Sequence, residues 1–157
     1  MIEAEVKSRA VPIEQLVSLQ PFTVRRRIAF RDCDPAGIVY TPRFLDPIST
    51  GALDLFMAEL VGPYGHRDTE VHGLDMPAKA VNLVFHDRVH YGELIDLRIA
   101  CTRIGNTTFD ARVSGRSLSD EPLFDSTITV ICVAHQPYRA IPVPDYLRGK
   151  LADHQAV

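Results

Sequence analysis

A single helical stripe followed by four consecutive strands is the feature that most restricts what this chain can fold into. Phe44, Leu45, Ile48, Ala52, Leu55, Phe56 and Leu60 recur at helical spacing and stop before Gly62 and Pro63. Beyond Gly73 the pattern changes to strands over roughly 79 to 90, 94 to 104, 107 to 117 and 123 to 135. Tyr91-Gly92, Gly105-Asn106 and Ser119-Asp120-Glu121-Pro122 supply the turns between them. Ahead of the helix, Phe22, Val24, Ile28 and Phe30 alternate with Thr23, Arg25, Arg27 and Arg31, so one more strand turns one face inward, with Arg26 interrupting the inner row. One helix and about five antiparallel strands, in the order strand, helix, four strands, give an α+β domain: one curved antiparallel sheet wrapped around a long central helix.

Two details refine this layout. Thr41 followed by Pro42 offers an N-cap and a first-turn proline, whereas Pro47 removes a backbone donor and should bend the helix or force a second start capped by Asp46. The last strand, Thr127-Ile-Thr-Val-Ile-Cys-Val-Ala134, is apolar on both faces, which places it centrally or at a subunit interface. Residues 1–20 carry Val11, Ile13, Leu16 and Leu19 broken by Pro12 and Pro21, too weak a pattern to name, and are assigned to an N-terminal arm. Residues 21–150 form a single domain and 151–157 a tail, in which the segment Arg139-Ala-Ile-Pro-Val-Pro144 precedes a possible last helical turn.

The 157 residues suffice for one domain with its own core. No apolar run is long enough to cross a bilayer, and the start MIEAEVKSRAVPIEQ carries acids without a basic, then apolar, leader, so a cytoplasmic location is expected. Cys33, Cys101 and Cys132 form no CxxC pair and read as reduced thiols. A net charge of −3 with basic residues scattered singly argues against nucleic acid and for a small-molecule partner.

The chemistry concentrates in residues 30–44, Phe-Arg-Asp-Cys-Asp-Pro-Ala-Gly-Ile-Val-Tyr-Thr-Pro-Arg-Phe, where two carboxylates and a glycine join a strand to the buried helix. A helix N-terminus offers unpaired N–H groups able to polarise a carbonyl and hold the oxyanion formed on attack. If the loop doubles back, as Pro35 and Gly37 permit, Asp34 faces the same carbonyl carbon as nucleophile or as general base to water. The plain alternative is that Asp-Pro starts a turn and Gly37 supplies its positive φ.

DCDPAGIVY with Phe44 following resembles the signature of the 4-hydroxybenzoyl-CoA thioesterase family in its pseudomonad form. The likeness runs from about Phe22 to Leu147 and includes the strand order and the RAIPVP segment. It implies the hotdog fold, hydrolysis of an acyl-CoA to free acid and coenzyme A, and no metal or redox cofactor. It places the catalytic carboxylate on Asp34 and the polarising N–H on Thr41 or its neighbour Tyr40. A C-terminal arginine that holds the nucleotide phosphates falls on Arg139. Family members can carry a basic cluster at the turn before the fourth strand, where this chain has Ile104-Gly105-Asn106-Thr107, so Arg88 and Arg103 become the candidate substitutes. Gly37, Phe44, Ile48, Ser49 and Leu53 are the candidate substrate-contacting positions. Pro47 and Ser49 stand where related enzymes can show larger or charged residues, so the acyl group is left open. The resemblance also implies a homodimer joined sheet edge to sheet edge, or a dimer of dimers, without membrane or nucleic-acid partners.

Other features have simpler explanations. Asp32 orders the loop, with Arg31 adjacent, rather than pairing with Asp34 as acid and base. Cys33 has no His nearby to activate it. His86 and His90, four apart on one strand, would stand roughly 13 Å from each other, too far for one metal ion. His66, Asp68 and His72 converge only if their segment is helical. Two other functions fit the same layout: a non-catalytic acyl-CoA or lipid binder, and a hydratase or dehydratase on acyl thioesters. The latter needs a His just after an Asp-x-Asn-Pro-type turn, and Asp34-Pro35-Ala36-Gly37 has none.

Overall fold

Strict alternation along the central strands sets the architecture. In β6 (Leu94–Ile104) and β7 (Thr108–Ser117), Ile95, Leu97, Ile99, Phe109, Ala111 and Val113 are buried on one face, while Asp96, Arg98, Asp110 and Arg112 stand on the other. The computed structural model describes residues 12–62, 67–68 and 73–156. A six-stranded antiparallel sheet runs in the order β1 (Glu14–Leu19), β2 (Phe22–Arg27), β6, β7, β8 (Pro122–Ile131) and β5 (Ala78–Phe85). Its inner face wraps α1 (Thr50–Val61), which buries Ala52, Leu53, Phe56, Met57 and Leu60. A smaller sheet joins β3 (Arg67–Asp68), β4 (Leu74–Asp75), β9 (Val133–His135) and β10 (Tyr138–Ala140). α2 (Asp145–Asp153) closes the far end: Leu147 and Leu151 enter the core, and the His154 ring meets Phe56 edge-on at 5.1 Å. No helix among the described residues is long and apolar enough to cross a membrane.

The structure corrects some expectations and bears out others. Residues 14–19, assigned to an arm, form β1, hydrogen-bonded to β2; as an edge strand with most residues exposed it leaves little periodicity to read. With β1 the sheet has six strands, and the final helix extends past residue 150. The central helix is interrupted at Pro47, as expected: a 3₁₀ turn at Thr41–Phe44 leads to Asp46, which is extended (φ −121°, ψ 114°), and regular α-helix begins at Thr50. A residue before proline is driven out of the α region, so Pro47 dictates the break at Asp46. Asp46 stands at the break directly ahead of the restart, as expected, and its Oδ1 accepts the Thr50 hydroxyl at 3.4 Å. The doubly apolar segment at 128–134 is placed centrally, one of the two positions expected: it divides at Cys132 between β8, which lies between β7 and β5, and β9, and Ile128, Val130, Cys132 and Val133 are covered by the chain itself. Both outer strands of the six-stranded sheet, β1 and β5, are edges, and β5 is exposed on nearly every residue. His66 and His72 lie outside the described residues, and Asp68 belongs to β3.

Aromatic packing links the sheet to the helix break. Phe44 packs edge-on against Phe85 and Phe124, with ring centroids 5.0 and 4.9 Å away. The Phe124 ring lies over Gly115, where an added Cβ would come within 2.1 Å of it. Gly115→Ala, mild by strand propensity, is therefore expected to cost about 1–3 kcal/mol through overpacking. Urea unfolding measures this, and an unchanged midpoint would show that Phe124 can move aside.

Candidate active site

The segment between β2 and α1 is tied together at both ends by one residue, Asp32. Its N–H donates to Ala29 O at 3.0 Å, its Oδ2 accepts the Ala29 N–H at 3.0 Å, and its carbonyl accepts the Tyr40 N–H at 2.9 Å. Its carboxylate is fully buried against the Arg26 guanidinium, 3.2 Å from Nη2. Arg26, only 2% exposed, reaches Glu14 on β1 with its other amino group. Asp32 orders the loop as expected, but its partner is Arg26 and not the adjacent Arg31. Arg26 belongs to the inner row it was expected to interrupt.

Between these anchors the chain makes a tight turn. Asp34 N–H donates to Ile38 O and Gly37 N–H to Asp34 O, both at 2.9 Å, with Gly37 at φ 78°, a region open to glycine. The Asp34 Oδ1 accepts the Ala36 N–H at 2.8 Å. The whole turn docks on the 89–91 segment through Val39 N–H to Val89 O and Tyr91 N–H to Gly37 O. Asp34, Cys33, Pro35 and Gly37 line a cavity of about 440 Å³ whose other walls are Phe30 and Tyr91.

Phe30 and Tyr91 were missed by periodicity. β2 ends at Arg27, and the 3₁₀ turn at Phe30–Asp32 throws Phe30 outward, so it is 82% exposed instead of facing the core. Its ring meets that of Tyr91, 56% exposed, at a centroid distance of 6.0 Å. The signal available was the aromatic residue directly ahead of the acidic turn. For Glu14 the sequence carried no usable signal.

The remaining candidates separate by place. Tyr40 N–H is already donated to Asp32, which removes it as an oxyanion donor; Thr41 opens the 3₁₀ turn, where a first N–H has no acceptor within the helix. Ile48 and Ser49 are fully buried, and the Ser49 hydroxyl donates to Phe44 O, so both serve the helix break. Phe44 is buried in the aromatic cluster and Leu53 lines a separate groove of about 570 Å³ together with Leu45, Met76, Val81, Ile128 and Val130. Arg88 is exposed beside Val89, next to the turn. Arg103 stands nine residues along β6 from Leu94, about 30 Å from the turn's end of the sheet. Its guanidinium grips Asp110 at 2.7 and 3.0 Å, and that bond holds Asp110 below the usual carboxylate range. Arg139, exposed on β10, also lies at the far end.

No protein-family model and no curated protein sequence matches the chain. Solved structures do. A thioesterase-superfamily protein from Jannaschia sp. CCS1 is 25% identical, with a TM-score of 0.77 over 91% of this chain and 99% of that one. A 1,4-dihydroxy-2-naphthoyl-CoA thioesterase from Synechocystis is 19% identical, with a TM-score of 0.73 over 84% of this chain and 96% of that one. A mutant 4-hydroxybenzoyl-CoA thioesterase complexed with 4-hydroxybenzoyl-CoA is 20% identical, with a TM-score of 0.71 over 83% of this chain and 97% of that one. The chain has the hotdog fold of these thioesterases.

The site also fixes the state of its thiol. Burial, then the charges of Asp32 and Asp34, push the Cys33 thiol up, and burial pushes Cys101 and Cys132 up to about 11. A raised thiol is less ionised at neutral pH, and only the thiolate attacks an alkylating agent. Native protein treated with iodoacetamide should label Cys33 more slowly than a free cysteine, gaining rate only above the ordinary thiol range, with Cys101 and Cys132 silent until unfolding. Mass spectrometry across pH 7–10 reads this, and labelling of Cys33 at the free-thiol rate would contradict it.

Proposed function

We propose that the chain is an acyl-CoA thioesterase in which Asp34 is the catalytic carboxylate and the Thr41 N–H polarises the thioester carbonyl. The observation that supports it most is the division between neighbouring groups. Asp32 and the Tyr40 N–H are consumed in holding the loop, while Asp34 lines an open cavity and Thr41 begins a helical turn. A thioester needs little more, because a thiolate leaves without a strong general acid. Asp34 either attacks the carbonyl carbon, giving a mixed anhydride that water then cleaves, or takes a proton from the attacking water. In both routes the carbonyl oxygen gains its charge beside Thr41, the C–S bond breaks, and the proton from water ends on the thiolate or the carboxylate.

We further propose a homodimer joined through β5. This strand is an edge, exposed on nearly every residue, and presents Ala78, Ala80, Val81, Val84 and Phe85. A long apolar edge left open is a template for pairing with another chain. Two-fold pairing sets β5 antiparallel to its copy, so the Ala78 end of one protomer meets the Phe85 end of the other. That brings the 570 Å³ groove and Arg139 of one protomer toward the Asp34 turn and Arg88 of its partner. The groove then receives the acyl group and the two arginines the coenzyme A phosphates.

Free thiol released from a panel of aryl and fatty acyl-CoA esters tests the reaction. Wild type should hydrolyse at least one ester, and Asp34→Asn should lower kcat by about a hundredfold or more. Equal rates in both proteins would remove Asp34 as the catalyst, and no release in either would favour the binding reading. Light scattering should give twice the chain mass; a monomer would reject the β5 interface.

A further inference from the structure

We propose that Arg26 and Glu14 are positioning residues for the reaction: the buried guanidinium, held between Glu14 and Asp32, sets the place of both Asp34 and the Thr41 N–H. The proposal rests on the thioesterase reading above.

The geometry carries the argument in three steps. Asp32 bonds Ala29, three residues before it, and Tyr40, eight residues after it, so it spans the whole loop that contains Asp34 and ends at Thr41. Asp32 is itself placed by Arg26, through Nη2 at 3.2 Å to Oδ2 and 3.4 Å to Oδ1. Arg26 is placed in turn by Glu14, whose carboxylate also lies against the first turn of α1, where a Cβ on Gly51 would meet Glu14 Oε1 at 2.7 Å. One planar, forked cation thereby links β1, β2, the Asp34 loop and α1. A lysine, with one nitrogen in place of the rigid fork, cannot reproduce the two separate amino-group contacts.

None of the three side chains lines the Asp34 cavity or the apolar groove. Their loss should therefore leave substrate affinity in place and act on the geometry of attack. A misplacement of about 1 Å can cost on the order of a hundredfold in rate. A group that only stabilises the fold lowers the melting temperature without changing kcat measured far below it.

The test uses Glu14→Gln and Arg26→Lys in the full chain. It reads kcat and KM on the best ester, Kd for a non-hydrolysable thioether analogue of that ester, thermal stability, and hydrogen exchange at the Ala29 and Tyr40 amides. The expected result is a folded protein with KM and analogue Kd within about twofold of wild type, kcat lowered about tenfold or more, and faster exchange at both amides. Folded variants with wild-type kcat would overturn the proposal. If Arg26→Lys does not fold, Glu14→Gln decides alone, since Glu14 is partly exposed and its replacement isosteric. If wild type hydrolyses no ester, the thioesterase reading fails, and the amides still decide separately: unchanged exchange in Glu14→Gln shows that the three groups do not hold the loop.

Discussion

The rest of the structure depends on a positive charge buried where an apolar side chain would be expected. Arg26 stands on the inner face of β2 between Val24 and Ile28, the latter just past the strand's end, and both neighbours are fully buried. An isolated charge there would cost several kcal/mol, so the position is tenable only with its counter-charges in place. Glu14 and Asp32 supply them from two other elements. Breaking such a pair from one side typically costs about 3–5 kcal/mol, more than a third of the stability of many domains. The folded state is therefore one in which β1, β2 and the following loop have already met. The same contact that makes the burial tolerable also holds the loop.

The helix break adds a second constraint. Pro47 forbids a continuous helix, and the chain answers with a 3₁₀ turn, an extended Asp46 and a fresh start at Thr50. Phe44 drops into the sheet against Phe85 and Phe124, and the space left between α1 and the β5 edge becomes the apolar groove. A straight helix from Thr41 would carry Phe44 and Leu45 along one axis and close that space. The groove and the aromatic cluster thus have one cause.

How much of this could be read beforehand follows from burial. β6 and β7 match their expected spans almost to the residue, because each buries one face only and alternation is then unambiguous. β1 was invisible because an edge strand with exposed Leu16, Val17 and Leu19 has no contrast between its faces. Phe30 was misassigned because alternation was carried three residues beyond the end of β2, into a turn whose direction is set by the distant Arg26. Within the loop, the motif singled out Asp34 and left the N–H donor between Thr41 and Tyr40, and the order-keeping role of Asp32 was legible. Its partner was not: choosing Arg26 over Arg31 requires knowing which arginine points inward after the strand ends. Long-range pairings such as Glu14 with Arg26 leave no local pattern at all.

Two carboxylates separated by one residue have opposite surroundings, and the difference bears on which of them can react. Asp32 is fully buried and accepts from Arg26 and the Ala29 N–H; moving it toward a substrate would strand a cation in the core. Asp34 accepts one N–H across a two-residue turn and lines a cavity, so its carboxylate is not tied into the core as Asp32 is. The backbone donors divide in the same way, Tyr40 N–H satisfying Asp32 and Thr41 N–H beginning a turn. A base and an oxyanion donor must both be groups whose interactions are unspent in the resting protein, and an anchor is by definition spent. The loop keeps the two kinds adjacent in sequence, so a rigid contact at Asp32 holds the proposed catalytic carboxylate two residues away without being consumed by it.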